Sequence, residues 1–377
     1  MNNYLTFTSE NEFSIEAYQE WDGTLYYSYD AEEWVEYDGY VESSDEWTGA
    51  HIIYMRGSGN TVITNESSWY IDGENVRCIG NIETLLDYEM VQNGEHPEMG
   101  EYCFASMFDC CESLTQAPEL PATKLAPYCY FSMFTNCISL TEAPELPATM
   151  LAEACYLCMF DSCESLTQAP ELPATELCDD CYGAMFKWCT SLTQAPELPA
   201  TTLASGCYGE MFYGCINLTQ APALPATTLA KYCYGFMFHG CTGIKMSTTQ
   251  SDEYPAAYRI PSTGDCTTAG ENALYLMFSS TGGTFMGTPD INTTYYGAWE
   301  PAAEEPALPT LTKLNLKAWL TGYVLGLAGH PLPIPIEDNA SYAHNPATKT
   351  LTVKQNDGTL SFGWDWDAMQ MDVEVNK

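Results

Sequence analysis

Ser113-Leu-Thr-Gln-Ala-Pro-Glu-Leu-Pro-Ala-Thr-Lys-Leu-Ala-Pro-Tyr-Cys-Tyr-Phe-Ser-Met-Phe-Thr-Asn-Cys137 belongs to a run that recurs with a period of 26. Cys103, Cys129, Cys155, Cys181, Cys207 and Cys233 form one column of that repeat. Met107-Phe108 returns as Met133-Phe134, Met159-Phe160, Met185-Phe186, Met211-Phe212 and Met237-Phe238. A second cysteine column runs through Cys111, Cys137, Cys163, Cys189, Cys215 and Cys241. No insertion or deletion interrupts residues 103–241. A fixed period of this length predicts stacked units, each burying its apolar face against its neighbours.

Within a unit, Pro127, Tyr128, Phe131, Ser132, Thr135 and Asn136 occupy free positions, whereas Cys129, Tyr130, Met133, Phe134 and Cys137 are constant. These offsets divide the two faces of a helix. Thr123, Thr149, Thr175, Thr201 and Thr227 stand where an N-cap hydroxyl would accept an orphan amide. Asn136, Gly214 and Gly240 suit a left-handed residue that closes the helix. The Leu-Thr-x-Ala-Pro that follows predicts a short extended piece, limited by a proline that cannot donate to a ladder. One strand and one helix per unit is the expectation.

The Cys-x-Ser-Leu-Thr segment, with its Leu-Pro and the later Met-Phe-x-x-Cys, resembles the BspA-like class of bacterial leucine-rich repeats. The resemblance covers roughly residues 97–246, with a degenerate copy at 273–279 and an insertion at 247–270. It implies an α/β fold: a leucine-rich-repeat solenoid of 26-residue repeats, and a surface or adhesive role as in proteins of gut bacteria and their phages. It brings no catalytic residue.

The 17 cysteines are read mainly as buried thiols. Cys129 and Cys137 would lie about 12 Å apart on a helix rising ~1.5 Å per residue, too far for a disulfide. Neighbouring helix axes at ~8–10 Å make bridges between units awkward as well. Cys155, Cys158, Cys178 and Cys181 match a zinc-ribbon spacing, but Cys155 and Cys181 already belong to the repeat column, so no metal is assigned. Free thiols suit synthesis and assembly in a reducing cytoplasm.

Lys and Arg number 12 against 51 Asp and Glu, a net charge of −39, and the first hundred residues hold only Arg56 and Arg77 as cations. Such acidity argues against a nucleic-acid partner or binding to an anionic membrane. Glu119, Glu145, Glu171 and Glu197 recur in register until Ala223 breaks the series. Stacked at ~4.8 Å, neighbouring carboxylates would repel by about 1 kcal/mol in water, which a cation or basic ligand would relieve. No Asp-x-Asp-x-Asp-Gly loop supports calcium, and no cofactor is expected. His51, His96, His239, His330 and His344 are scattered, without a zincin, triad or phosphate-loop arrangement.

Residues 1–92 read as a β-rich, β-sandwich-like domain. Short runs begin at Tyr4, Phe13, Thr24, His51 and Asn60, with turns at Asp22-Gly23, Asp38-Gly39 and Asp72-Gly73. Residues 82–88 are expected to form a short helix capping the array, which spans 93–288. Trp21, Trp34, Trp47 and Trp69 sit among acids and tyrosines; they suit a sugar, or the core and rim of the domain. Residues 289–377 comprise a Pro/Ala/Glu linker at 301–309, a helix at 312–327 and a hairpin through Asp357-Gly358, a small α+β module. The stretch 315–333 resembles a tail segment of gut phage and prophage proteins. The start of the chain lacks the pattern of a signal peptide, and residues 318–329 are too short to span a bilayer.

Together these features predict a non-enzymatic binding or structural protein, a phage virion component at the tail or capsid surface that presents its repeats to a host or mucosal ligand. A bacterial cell-surface adhesin is the alternative, and a glycan-active enzyme a minor one. Two surfaces are candidates for the ligand. The strand face carries Gln116, Glu119, Glu142, Glu145, Gln168, Glu171, Gln194, Glu197 and Gln220; the helix face carries Lys187, Trp188, Tyr213 and His239. Other virion proteins, a host-surface protein or glycan, and a second copy of the chain are the expected partners.

Overall fold

The computed structural model describes residues 4–46, 49–261 and 266–297, and four strands of backbone beyond residue 340. The chain divides into two units, Met1–Trp299 and Glu300–Lys377.

In the first unit, short β-branched and aromatic runs form strands β1 (Leu5–Ser9), β2 (Ser14–Glu16), β3 (Thr24–Ser28), β4 (Val35–Glu36), β5 (Tyr40–Glu42), β6 (His51–Ser58), β7 (Tyr70–Asp72) and β8 (Val76–Ile79). With β9 (Leu114–Gln116) from the first repeat, they make a sheet of order β4-β3-β6-β1-β8-β9 and a smaller sheet of order β5-β2-β7. Alternate residues face inward, so Phe7, Leu25 and Ile53 of one sheet and Ile15, Val41 and Ile71 of the other are buried. A 3-10 turn at Ile82–Leu85, capped by the Asn81 side chain, leads to helix α1 (Tyr88–Gln92), capped by Asp87.

The repeat contains no helix. Every second amide of the Cys-Tyr-x-x-Met-Phe segment donates to the next unit: Phe104 to the Cys129 carbonyl (2.8 Å), Ser106 to Phe131 (2.7 Å), Phe108 to Met133 (2.9 Å) and Cys110 to Thr135 (2.8 Å). The amides between them close tight turns inside the unit, Ala105 to Tyr102, Met107 to Phe104, Asp109 to Ser106 and Cys111 to Phe108. This pattern continues to Gly240, whose amide meets the Ser279 carbonyl at 2.9 Å. Every fourth residue is left-handed, as at Tyr128 (φ 57°), Ser132 (52°) and Asn136 (58°). That conformation costs a non-glycine residue roughly 1–2 kcal/mol. Burying one Met or Phe side chain is worth about 1.5–3 kcal/mol, and each unit buries Met, Phe, two Cys and at least two Leu or Ile side chains almost completely in this arrangement. Burial outweighs the strain.

Rings stack between units in two columns. Centroids lie 5.5 Å apart from Phe108 to Phe134 and 5.8 Å from Tyr130 to Tyr156, with planes within 10°. The second cysteine column is tied across units too. Cys137 Sγ donates to the Phe108 carbonyl (3.0 Å), Cys163 to Phe134 (3.1 Å), Cys189 to Phe160 (3.1 Å), Cys215 to Phe186 (3.0 Å) and Cys241 to Phe212 (2.9 Å). A thiol fits there because it is small, apolar and still a weak donor.

These findings overturn the expected α/β leucine-rich-repeat solenoid with a small α+β module. Helix among the described residues is confined to 82–85 and 88–92, and the protein is nearly all sheet and turn, its several small sheets not closing into a solenoid. The threonines assigned as N-caps precede no helix; the residues after them form parallel bridges, Lys124 with Met150 and Glu176 with Thr202. The supposed 8–10 Å between helix axes is replaced by successive rings 5.3–6.0 Å apart within each column.

The ends of the array are covered. Asn60–Thr64, expected as a strand, is irregular and instead imitates a preceding unit. Ile63 and Thr64 amides donate to the Cys103 carbonyl, the Thr64 hydroxyl to Ala105 (2.6 Å) and the Trp69 amide to Met107. At the other end, residues 273–279 stack on the last regular unit, Phe278 on Phe238 at 5.3 Å, although 40 rather than 26 residues separate the two rings. The Phe278 amide then meets the Gly287 carbonyl at 2.8 Å. Between them, strands at Thr228–Leu229 (β10) and Thr268–Ala269 (β13) pair in parallel. Met246–Ser247 (β11), Ala256–Arg259 (β12) and Thr294–Gly297 (β14) form a three-stranded sheet.

The second unit contains a four-stranded antiparallel sheet, β15 (Ser341–Asn345), β16 (Thr350–Gln355), β17 (Gly358–Asp365) and β18 (Gln370–Asn376). The expected linker at 301–309 and helix at 312–327, and with them the phage-tail resemblance at 315–333, lie outside the described residues. No helix among the described residues is long and apolar enough to cross a membrane.

Two predictions follow from the packing. Burial pushes the thiols of Cys111, Cys155, Cys207 and Cys241 up to about 12 and raises those of the other eight column cysteines. An unfolded thiol ionises near about 8.5. Above that pH the unfolded chain sheds protons that the folded chain keeps, so stability is full below about 8.5 and falls as pH rises, by about 1.4 kcal/mol per pH unit for each such thiol. Urea midpoints in reducing buffer should be flat from pH 7 to 8 and drop steeply by pH 10; a flat profile would contradict the buried columns. The Tyr130 hydroxyl is buried without a hydrogen-bond partner, and Phe104 holds the same column position. Tyr130→Phe should leave the urea midpoint unchanged or raise stability by about 1 kcal/mol; a comparable loss would reveal a bond to that hydroxyl.

Candidate functional site

The acidic row lies along one edge of the array. Gln116, Glu119, Glu142 and Glu145 line a groove of 550 Å³ floored by Ala117, Leu120 and Ala143 and walled by prolines 118, 121, 144 and 147. Glu171 and Glu197 line a second groove of 260 Å³. Gln168 bridges to Glu142 through the backbone, while Gln194 and Gln220 are exposed outside both grooves. Gln116 is already engaged, because Arg77 Nε donates to its Oε1 at 2.8 Å. Among the described residues no three His, Cys, Asp or Glu side chains converge as a metal site. Of the zinc-like set, Cys178 donates to the Leu151 carbonyl at 3.2 Å.

The second candidate set does converge. Trp188 occupies a left-handed position (φ 57°), and its amide donates to the Tyr213 carbonyl at 2.7 Å; the next amide in that column, Gly214, donates to His239 at 2.7 Å. The inter-unit ladder therefore sets Trp188, Tyr213 and His239 on three successive units. The Trp188 ring meets Tyr213 edge-on at 5.4 Å, and Tyr213 stacks on His239 at 4.4 Å. Trp188 stays 43% exposed. His239 Nδ1 hydrogen-bonds the Ser279 hydroxyl. Phe236 continues the cluster to His239 (5.9 Å) and to the exposed Tyr275 (5.2 Å).

Charge is fixed beside these rings. Lys187 Nζ reaches Glu210 Oε2 at 2.7 Å and lies 5.1 Å from the Tyr213 ring centre. Burial alone would pull the Lys187 ammonium down, but the Glu210 hydrogen bond and the charges of Glu210 and Asp161 outweigh it and hold its pKa above the ordinary lysine value. Burial lifts the neighbouring Asp161 carboxyl above the usual aspartate range, against the Ser162 hydroxyl and the Lys187 charge. Aromatic faces framed by a cation and carboxylates can stack on a flat apolar ligand face and exchange hydrogen bonds at its rim.

Sequence reasoning singled out four members of this patch and missed Glu210, Phe236 and Tyr275. Glu210 and Phe236 share the free column of Ser132, and Tyr275 that of Phe131 in the degenerate copy, so comparing every free column would have found them. The N-terminal tryptophans divide differently. Trp21 and Trp69 are buried, Trp34 packs against the Arg56 guanidinium at 4.3 Å, and Trp47 lies outside the described residues.

Comparison with protein-family models, with curated proteins and with solved structures finds no match.

Gly214 is part of this surface, since a β-carbon there would overlap the Trp188 indole. At Gly240, one unit on and also left-handed, a β-carbon would meet only the Gly214 backbone at 3.6 Å. Gly214→Ala should therefore lower stability by about 1–3 kcal/mol, and by more than Gly240→Ala, in urea denaturation. Equal losses would mean that the Trp188 ring is not held there.

Proposed function

We propose that this chain is a non-enzymatic binding protein of a phage virion, displayed at the tail or capsid surface, which holds a host or mucosal ligand. The observation that carries this reading is the Lys187–Trp188–Tyr213–His239 patch. It places an exposed indole, two further rings and a fixed ion pair on consecutive units of a hydrogen-bonded stack. Interfaces draw much of their energy from such aromatic anchors, and a rigid support lowers the entropy lost on binding. In this reading the other partners are virion proteins.

The virion assignment is supported by the cysteines. All 17 are free thiols, and most are buried, a state that suits assembly in a reducing cytoplasm and release by lysis. The net charge of −39 disfavours a role in contacting packaged nucleic acid.

Mass spectrometry of density-purified particles and of envelopes from the source cells tests the location. Enrichment in particles, with every cysteine alkylated in denaturant before reduction, is expected; enrichment in envelopes would make the chain a bacterial surface adhesin. Trp188→Ala/Tyr213→Ala should weaken binding of the full chain to intact host cells or mucin about tenfold or more. Unchanged binding by the folded variant would remove the patch from the ligand site.

A further inference from the structure

The outer face of the sheet β5-β2-β7 carries residues that neither the repeat nor the patch on it involves. Ile15, Val41 and Ile71 point inward and are buried, so the residues alternating with them face outward. Glu16 is paired with Tyr40 on one side and Tyr70 on the other; Ser14 is paired with Glu42 and with Asp72. The outward face therefore holds one row of Tyr40, Glu16 and Tyr70 beside a second row of Glu42, Ser14 and Asp72. Tyr40 is 50% exposed and Tyr70 62%, and Tyr18, two residues beyond Glu16, is 75% exposed. They are the three most exposed tyrosines among the described residues. Large rings left this open on a small sheet mark a contact surface.

We propose that this face is a second ligand site, a platform for a chain of neutral hexopyranose sugars. The two paired tyrosines stand on strands that flank β2, about 10 Å apart at two strand spacings. That separation lets one extended sugar chain lie over both rings. The apolar C–H face of a pyranose packs against a phenol ring, and its equatorial hydroxyls need acceptors at the ring edge. Glu16, Glu42 and Asp72 are acceptors only, and the Ser14 hydroxyl can accept as well. The Tyr40 hydroxyl donates to Glu42 Oε1 at 2.8 Å, which sets a carboxylate at the edge of that ring. That bond also raises the Tyr40 phenol above its ordinary pKa. Charge complementarity sets the ligand class: three carboxylates repel uronic, sialic or sulfated sugars and accept donor hydroxyls. The proposal is independent of the virion reading and of the Trp188 patch.

Affinity electrophoresis of the full chain tests it, in native gels containing glucomannan, hydroxyethyl cellulose or, as the anionic comparison, polygalacturonate. The wild type should be retarded by a neutral polymer and not by polygalacturonate. Tyr40→Ala/Tyr70→Ala should weaken that retardation about tenfold, whereas Tyr40→Phe/Tyr70→Phe keeps the rings and should retain it. Trp188→Ala/Tyr213→Ala should leave it unchanged. Circular dichroism and thermal unfolding establish that each variant is folded; both tyrosines are largely exposed, so their loss should cost little stability. Absence of retardation in both neutral gels overturns the proposal, as does equal retardation of the folded alanine variant. Loss confined to Trp188→Ala/Tyr213→Ala would move the glycan to the other surface, and preferential retardation by polygalacturonate would reverse the assigned charge class.

Discussion

The repeat depends on how its backbone amides are divided. In each Cys-Tyr-x-x-Met-Phe-x-x-Cys segment, one amide closes a turn inside the unit and the next donates to the adjacent unit. An α-helix would have kept all of these bonds internal, leaving side chains alone to join the units. Here half of the bonds are themselves the joints. The division requires a left-handed residue at every fourth position. It is sustainable because each strained residue precedes buried Cys-Tyr, Met-Phe or Cys side chains, and the transfer free energy of those side chains exceeds the local cost.

Much of the remaining architecture follows from that ladder. A four-residue conformational cycle points two side chains inward and the next two outward, which separates the Cys-Tyr and Met-Phe pairs from the free positions between them. The close stacking brings each Cys137-type thiol within reach of a carbonyl of the preceding unit. It also makes the ends of the array costly, because a row of unpaired carbonyls or amides would face water or apolar core. Residues 63–69 supply donors at one end, and Gly287 and the Thr288 hydroxyl receive amides at the other. The N-terminal sheets are thereby joined to the array through main-chain bonds, with β8 pairing in parallel with β9.

The surfaces suited to ligands sit on this frame in two different ways. The Trp188 patch is built from outward residues of consecutive units, so its ring spacing is imposed by the ladder. The Tyr40–Glu16–Tyr70 row takes its spacing from the pleat and pairing of a small sheet. Both pair aromatic rings with carboxylates, and both leave their rings open on ordered backbone. The acidic proline-walled grooves differ, since they lack exposed rings and one of their polar groups, Gln116, is already bonded to Arg77.

The sequence by itself determined the unit length, the register of its columns, and which residues of each unit are buried. Cys129, Tyr130, Met133, Phe134 and Cys137 are all fully or almost fully buried. It also marked Lys187, Trp188, Tyr213 and His239 as outward residues. It could not reveal the conformation joining them. Over nine residues, a period of four is indistinguishable from the 3.6 of a helix, and left-handed residues such as Tyr128, Ser132, Cys158 and Trp188 carry no compositional signature of the kind glycine gives. Nor could it show Tyr40 and Tyr70 on either side of Glu16, because strand pairing joins residues distant in the chain. Local pattern records which side chains avoid water; only the tertiary hydrogen bonds between units and between strands decide the backbone path that hides them and the neighbours left outside.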